Sequence, residues 1–157
     1  MGEHTTLPMA ALTSTLGWLL WSVLVGATAN RLPSGWLARD HWFWRRPWHE
    51  QARSFEGRLA IRRWKPWLPD AGTALPSGVA KASLVGRDQR NLERRLLETK
   101  RAEWVHLVLW LFWLVTPLWL PPAGVLINLA FATLFNLPCL WVQRYNRLRL
   151  QQLLTRP

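Results

Sequence analysis

Apolar residues in this chain run in long blocks rather than alternating with polar ones. Met9 to Ala29 holds no charged residue, and neither does Val105 to Cys139 apart from His106. A hydrocarbon core about 30 Å thick needs roughly 20 helical residues, so the first block has the length for one crossing and the second for two. The pattern predicts an all-α membrane protein with about three transmembrane helices, over residues 9–29, 104–120 and 123–142. Pro121-Pro122 supplies the turn between the last two.

Between the blocks the character reverses. Arg31 to Glu103 carries sixteen Lys or Arg and eight Asp or Glu, a net +8, and residues 143–157 add four Arg with no acid. Basic segments stay on the cytoplasmic side. Region 31–103 and the tail 143–157 are therefore expected in the cytoplasm and the N-terminus outside, giving one multi-pass domain, 1–157, in the cell membrane. The first block lacks a basic segment ahead of it, so it reads as a retained anchor. Ala27-Thr28-Ala29 keeps a cleaved signal as the alternative.

Composition sharpens this picture. Thirteen Trp stand against five Phe and one Tyr, and Trp settles where acyl chains meet head groups. Trp48, Ala52, Phe55 and Leu59 share one helix face, with charges on the others. A basic amphipathic helix lying in the membrane plane is the expectation, against the alternative of a helix packed on a protein core. Pro66, Pro69, Gly72, Pro76 and Gly78 predict a loop from Trp67 to Gly86. A second helix is expected to start at an Asp88 N-cap and run unbroken into the span that begins at Trp104. The bases flank membrane segments and no nucleic-acid motif is present, which argues against a nucleic-acid partner. One cysteine, Cys139, excludes a disulfide framework and a four-cysteine metal site. His49-Glu50 lacks the second His of a zinc-protease helix, so no metal is expected there.

Thr99, Glu103 and His106 fall on one helix stripe where the second span enters the lipid. A carboxylate beside an imidazole suits a general base that deprotonates a hydroxyl as it attacks an acyl group. The alternative is a packed His106, with Glu103 paired to a neighbouring base. Glu98 lies on another face, where an i, i+4 pair with Arg94 accounts for it. Asn128 and Asn136, inside the third span, fit either function or interhelical bonding. The arginine clusters fit anionic lipid head groups, at about 1 kcal/mol each near the surface, or the phosphates of an acyl carrier.

Glu98-Thr99-Lys100-Arg101-Ala102-Glu103 with His106, Asn136-Leu137-Pro138, and Gln143-Arg144-Tyr145-Asn146-Arg147-Leu148-Arg149 together resemble the glycosyl-4,4'-diaponeurosporenoate acyltransferases. Arg63-Trp64-Lys65 and Asp70-Ala71-Gly72 extend the likeness, which covers roughly Arg31 to Leu153. The resemblance implies fatty acylation of a sugar hydroxyl on a glycosylated C30 carotenoid, in a staphyloxanthin-type pathway. It implies His106 as base, with Glu103 and Glu98 as the carboxylates of the catalytic set. Lys100, Arg101, Arg144 and Arg147 become donor or oxyanion contacts, and Tyr145 and Asn146 line the acceptor. Arg63, Trp64, Lys65, Asn136, Gln143 and Arg149 complete the substrate-binding set. No cofactor is implied, only an acyl donor as co-substrate, acyl-CoA or acyl carrier protein. The chain departs from the family pattern in its neutral N-terminus, in Leu148 where Pro is expected, and in its Trp-rich spans. The reading from another class is a non-catalytic scaffold of a carotenoid- or lipid-synthesising complex, and an oligomer is compatible with either.

Overall fold

The computed structural model describes residues 7–45, 51–68 and 89–155, which are helical and contain no strand. Helix α1, Leu7–Arg31, tolerates Pro8 in its first turn, where the missing N–H has no helical partner to lose. It ends before Pro33, which disfavours helical backbone at Leu32. A short helix α2, Ser34–Ala38, and a 3-10 turn, Trp42–Trp44, follow. Two further short helices, α3 (Ala52–Leu59) and α4 (Ile61–Trp64), meet at Ala60, whose left-handed backbone (φ 47°) turns the chain sharply. The long helices are α5, Gln89–Trp110, and α6, Pro122–Leu154.

Side-chain register gives the arrangement. Trp110 meets Thr133, His106 meets Asn136, and Glu103 meets Arg144 and Arg147, so α5 and α6 run antiparallel. Ser14 meets Trp119, Trp18 meets Phe112, and Trp21 meets the Val108 carbonyl, so residues 108–119 run antiparallel beside α1. Gly17 permits that approach: a Cβ there would lie 2.8 Å from Cζ of Phe112. Four tryptophans lace the helices by donating their indole N–H: Trp18 to Asn128 Oδ1, Trp21 to Val108 O, Trp110 to Thr133 Oγ1 and Trp119 to Ser14 Oγ. Asn128 thus serves as interhelical glue.

Among the described residues two helices, α1 and α6, are long and apolar enough to cross a membrane. Their outer faces are apolar and exposed, as at Leu16, Leu20 and Val23 on α1 and Leu126, Ile127 and Leu134 on α6. The expected middle span is not one such helix. The α-helix runs unbroken through residue 104 but tightens into 3-10 turns at Leu111–Leu114 and Thr116–Leu118. Pro117 adds to the departure from α-helix there, because its ring crowds the carbonyl four residues back and it has no N–H to donate.

Two other expectations change. The expected tail is not separate over its described part, residues 143–155: α6 continues to Leu154 and buries Tyr145, Arg147 and Leu148. The α3 face does not lie on lipid. Ala52 and Phe55, with Leu59 beside them, pack with Ile61 against Val142, Tyr145 and Leu148 of α6. The apolar period was read correctly, but the extended α6 provides a protein core for it. Trp48, Asp88, Asp70 and His49-Glu50 lie outside the described residues, as does the expected loop beyond Leu68.

Candidate functional site

At the charged end of the α5–α6 pair, Arg147 is fully buried and Glu103 is 5% exposed. Arg147 Nε donates to Glu103 Oε2 at 2.8 Å and Nη2 donates to Oε1 at 3.3 Å, a two-point fork. Its Nη1 donates to the Trp44 carbonyl at 3.0 Å. Arg144 approaches the same carboxylate, Nη1 to Oε1 at 3.5 Å, and donates from Nη2 to the Arg45 carbonyl at 3.4 Å. Two guanidinium groups thus share one carboxylate, leaving the cluster net positive in a partly desolvated place, where charge acts strongly.

One helical turn further along α5 stands His106. Its Nδ1 lies 3.2 Å from Oδ1 of Asn136, which is 5% exposed. The spacing argument gave Glu103 the task of steering this imidazole. In the fold, Asn136 faces Nδ1 and both Glu103 oxygens accept from arginine. Glu98 pairs with Arg101 (3.7 Å) rather than with Arg94, and both side chains of the pair are half-buried.

Lys100 is turned inward, 3% exposed. Its ammonium donates to the carbonyls of Ala38 and Arg39 and to Asp40 Oδ1, and sits 5.0 Å above the Trp44 ring. It ties the end of α2 to α5. Trp44 packs with Trp36, His41 and Phe43 in an aromatic knot that closes over this end of the bundle.

A second polar cluster surrounds Tyr145. Its hydroxyl donates to Glu56 Oε1 at 2.6 Å and accepts from Arg62 Nε at 3.3 Å and Arg149 Nη1 at 3.4 Å. The Tyr145 hydrogen bond, helped by Arg62, holds the Glu56 carboxyl below its usual range. The same hydroxyl, then Glu56, raises Arg62. Lys65 donates to Asn146 Oδ1 and lies over the Tyr145 ring. Trp64 Nε1 donates to the Leu59 carbonyl, Arg63 is exposed and Gln143 is half-buried.

Many of the predicted residues therefore fall into two groups around α6, interleaved along its length. Asn136, Glu103, His106, Arg144 and Arg147 form one, and Arg62 (not predicted), Lys65, Tyr145, Asn146 and Arg149 the other. Glu56, Asp40 and Trp44 were missed, since each meets its partner across at least sixty residues, beyond any local spacing rule. Among the described residues no group of His, Cys, Asp and Glu could hold a metal ion.

Fold and cluster define a class: a small helical bundle with membrane-length apolar helices and an imidazole set beside a buried guanidinium–carboxylate group. Comparison with known sequences gives the particular family. The family model for glycosyl-4,4'-diaponeurosporenoate acyltransferase matches residues 39–156. Proteins of that name from Staphylococcus aureus strains bovine RF122 / ET3-1 and MRSA252 are each 28% identical over 140 residues, covering 87% of this chain and 83% of theirs. The one from strain USA300 is 27% identical over the same length. No solved structure matches. The chain belongs to the glycosyl-4,4'-diaponeurosporenoate acyltransferase family and is an acyltransferase.

Proposed function

We propose that this protein transfers a fatty acyl group from a thioester donor, acyl-CoA or acyl carrier protein, to a sugar hydroxyl of a glycosylated C30 carotenoid. The observation that carries the reading is the position of His106. It lies three residues past Glu103, about 4.5 Å deeper along α5 at 1.5 Å per residue, where charged side chains give way to apolar ones. A carotenoid glycoside keeps its polyene in lipid and its sugar at that boundary.

In this mechanism His106 takes the hydroxyl proton as the oxygen attacks the thioester carbonyl. The net positive charge of the Arg144–Arg147–Glu103 cluster favours the oxyanion that forms. Collapse breaks the carbon–sulfur bond, and the imidazolium returns its proton to the departing thiolate. Ester and thiol are the products. The chain works as a multi-pass membrane protein, with residues 104–120 descending beside α1 as a third, partly 3-10 crossing and both basic segments cytoplasmic.

The test uses membranes containing the full chain, glycosyl-4,4'-diaponeurosporenoate and palmitoyl-CoA. Product should gain one acyl mass, and His106→Gln should lower turnover by about 10²-fold or more at unchanged protein level. Normal turnover by that variant would remove His106 from the chemistry.

A further inference from the structure

We infer that Asn136 is a positioning residue that fixes which nitrogen of His106 carries the proton. This rests on the proposed role of His106 as base and deepens it. Asn136 Nδ2 donates to the Ala132 carbonyl one turn back at 3.0 Å. That bond sets the orientation of the amide, because the flipped form would bring two carbonyl oxygens to 3.0 Å with no hydrogen between them. Oδ1 is thereby the atom that faces His106 Nδ1. A carbonyl oxygen only accepts, so Nδ1 must be the protonated nitrogen and the lone pair resides on Nε2.

Neutral Asn has a chemical reason to stand here. A carboxylate facing Nδ1 would favour the imidazolium and hold the base protonated to higher pH. It would also place another charge in the apolar half of α6, where a lone charge is costly. An amide selects the same tautomer without adding a charge that favours the imidazolium. Along the packed helices the charged and titratable groups within five residues of this pair are Arg101 and Glu103 on α5 and Cys139 on α6, with Arg144 and Arg147 further along α6. The stretch of α1 from Ser14 to Val25 contributes none. Replacing Asn136 by Leu preserves its approximate volume and orphans no backbone group, since Ala132 O keeps the helical bond from the Asn136 N–H.

The experiment labels histidine with nitrogen-15 in the full chain, purified in detergent, and assigns His106 by the signal lost in His106→Gln. Wild type should show a protonated Nδ1 and a bare Nε2 at neutral pH. Asn136→Leu should lose that preference and lower kcat by about 10²-fold with KM little changed. Asn136→Asp should keep Nδ1 protonated and retain turnover, with the acid limb of its pH–rate profile moved to higher pH. A bare Nδ1 in wild type would overturn the inference. So would an Asn136→Leu protein with unchanged tautomer and pH profile. If His106→Gln retains full turnover while wild type shows the expected tautomer, the proposed chemistry fails and the tautomer assignment stands.

Discussion

Replacing Arg147 by Met takes away a guanidinium that is fully buried and forms three hydrogen bonds, two to Glu103 and one to the Trp44 carbonyl. Met has similar length and fills most of the space, so the main loss is electrostatic. Glu103 keeps only the longer bond from Arg144 at 3.5 Å, and the Trp44 carbonyl loses a donor. Removing one partner of a buried pair costs about 3–5 kcal/mol, because the other charge stays desolvated. At roughly 2–4 °C per kcal/mol for a chain of this size, Tm should fall by about 6–20 °C. The thirteen tryptophans make intrinsic fluorescence in detergent a direct readout. Pairing Arg147→Met with Glu103→Gln should recover part of the loss, since the stranded charge is gone. A single variant melting within about 2 °C of wild type would refute the premise that this pair is desolvated. A double variant as unstable as the sum of the singles would refute the coupling between them.

Glu56 gives a pH prediction. Its carboxyl is held below the usual range, so the native state binds fewer protons than the unfolded chain and stability rises with pH. The contribution is present above about pH 4.3 and is lost as pH falls through that value toward the lowered one. Melting between pH 6 and pH 3 should be less steep in Glu56→Gln, and an unchanged slope would contradict the Tyr145 contact. Gly17→Val should lower stability by about 1–3 kcal/mol, because Phe112 is 4% exposed and wedged among Trp18, Trp21 and Trp119. A Tm equal to wild type would mean that the ring moves aside freely. Reporters fused after Pro157 and protease sites placed between Ala71 and Gly86 should both register as cytoplasmic, and opposite sides would break the proposed three-crossing path.

The sequence pattern carried the long elements further than their partners. Met9–Ala29 and Ala123–Val142 announced α1 and the apolar half of α6 because lipid-length apolar runs have few other uses. Trp104–Leu120 has the same composition, yet Pro117 changes its backbone, an effect that hydropathy does not register. The Ala52, Phe55, Leu59 face was legible as a helix face, but lipid and a protein core demand the same periodicity. Only the continuation of α6 through Tyr145 and Leu148 decides between them. Glu103 and His106 were readable as one stripe, three residues apart. Their cross-helix partners, Arg147 forty-four residues away and Asn136 thirty away, depend on α5–α6 register, which no local spacing encodes.

That register also orders chemistry by depth. From Asn136 to Arg147 is eleven residues, about 16 Å along α6 at 1.5 Å per residue. Over that distance the helix passes from an amide–imidazole pair to a charged fork. Arg147 could not be buried in lipid alone, since its donors need acceptors that hydrocarbon lacks. The Trp44 carbonyl supplies one, which requires the segment after α2 to fold across the end of the bundle. Lys100 holds that segment in place through the carbonyls of Ala38 and Arg39. The cover demanded by one buried guanidinium is therefore also what shields the cluster from water. For the proposed reaction this matters directly, because positive charge stabilises an oxyanion most where water does not screen it. Lys100 then contributes by holding the cover rather than by touching a substrate, and its replacement should harm activity only as far as it loosens Trp44.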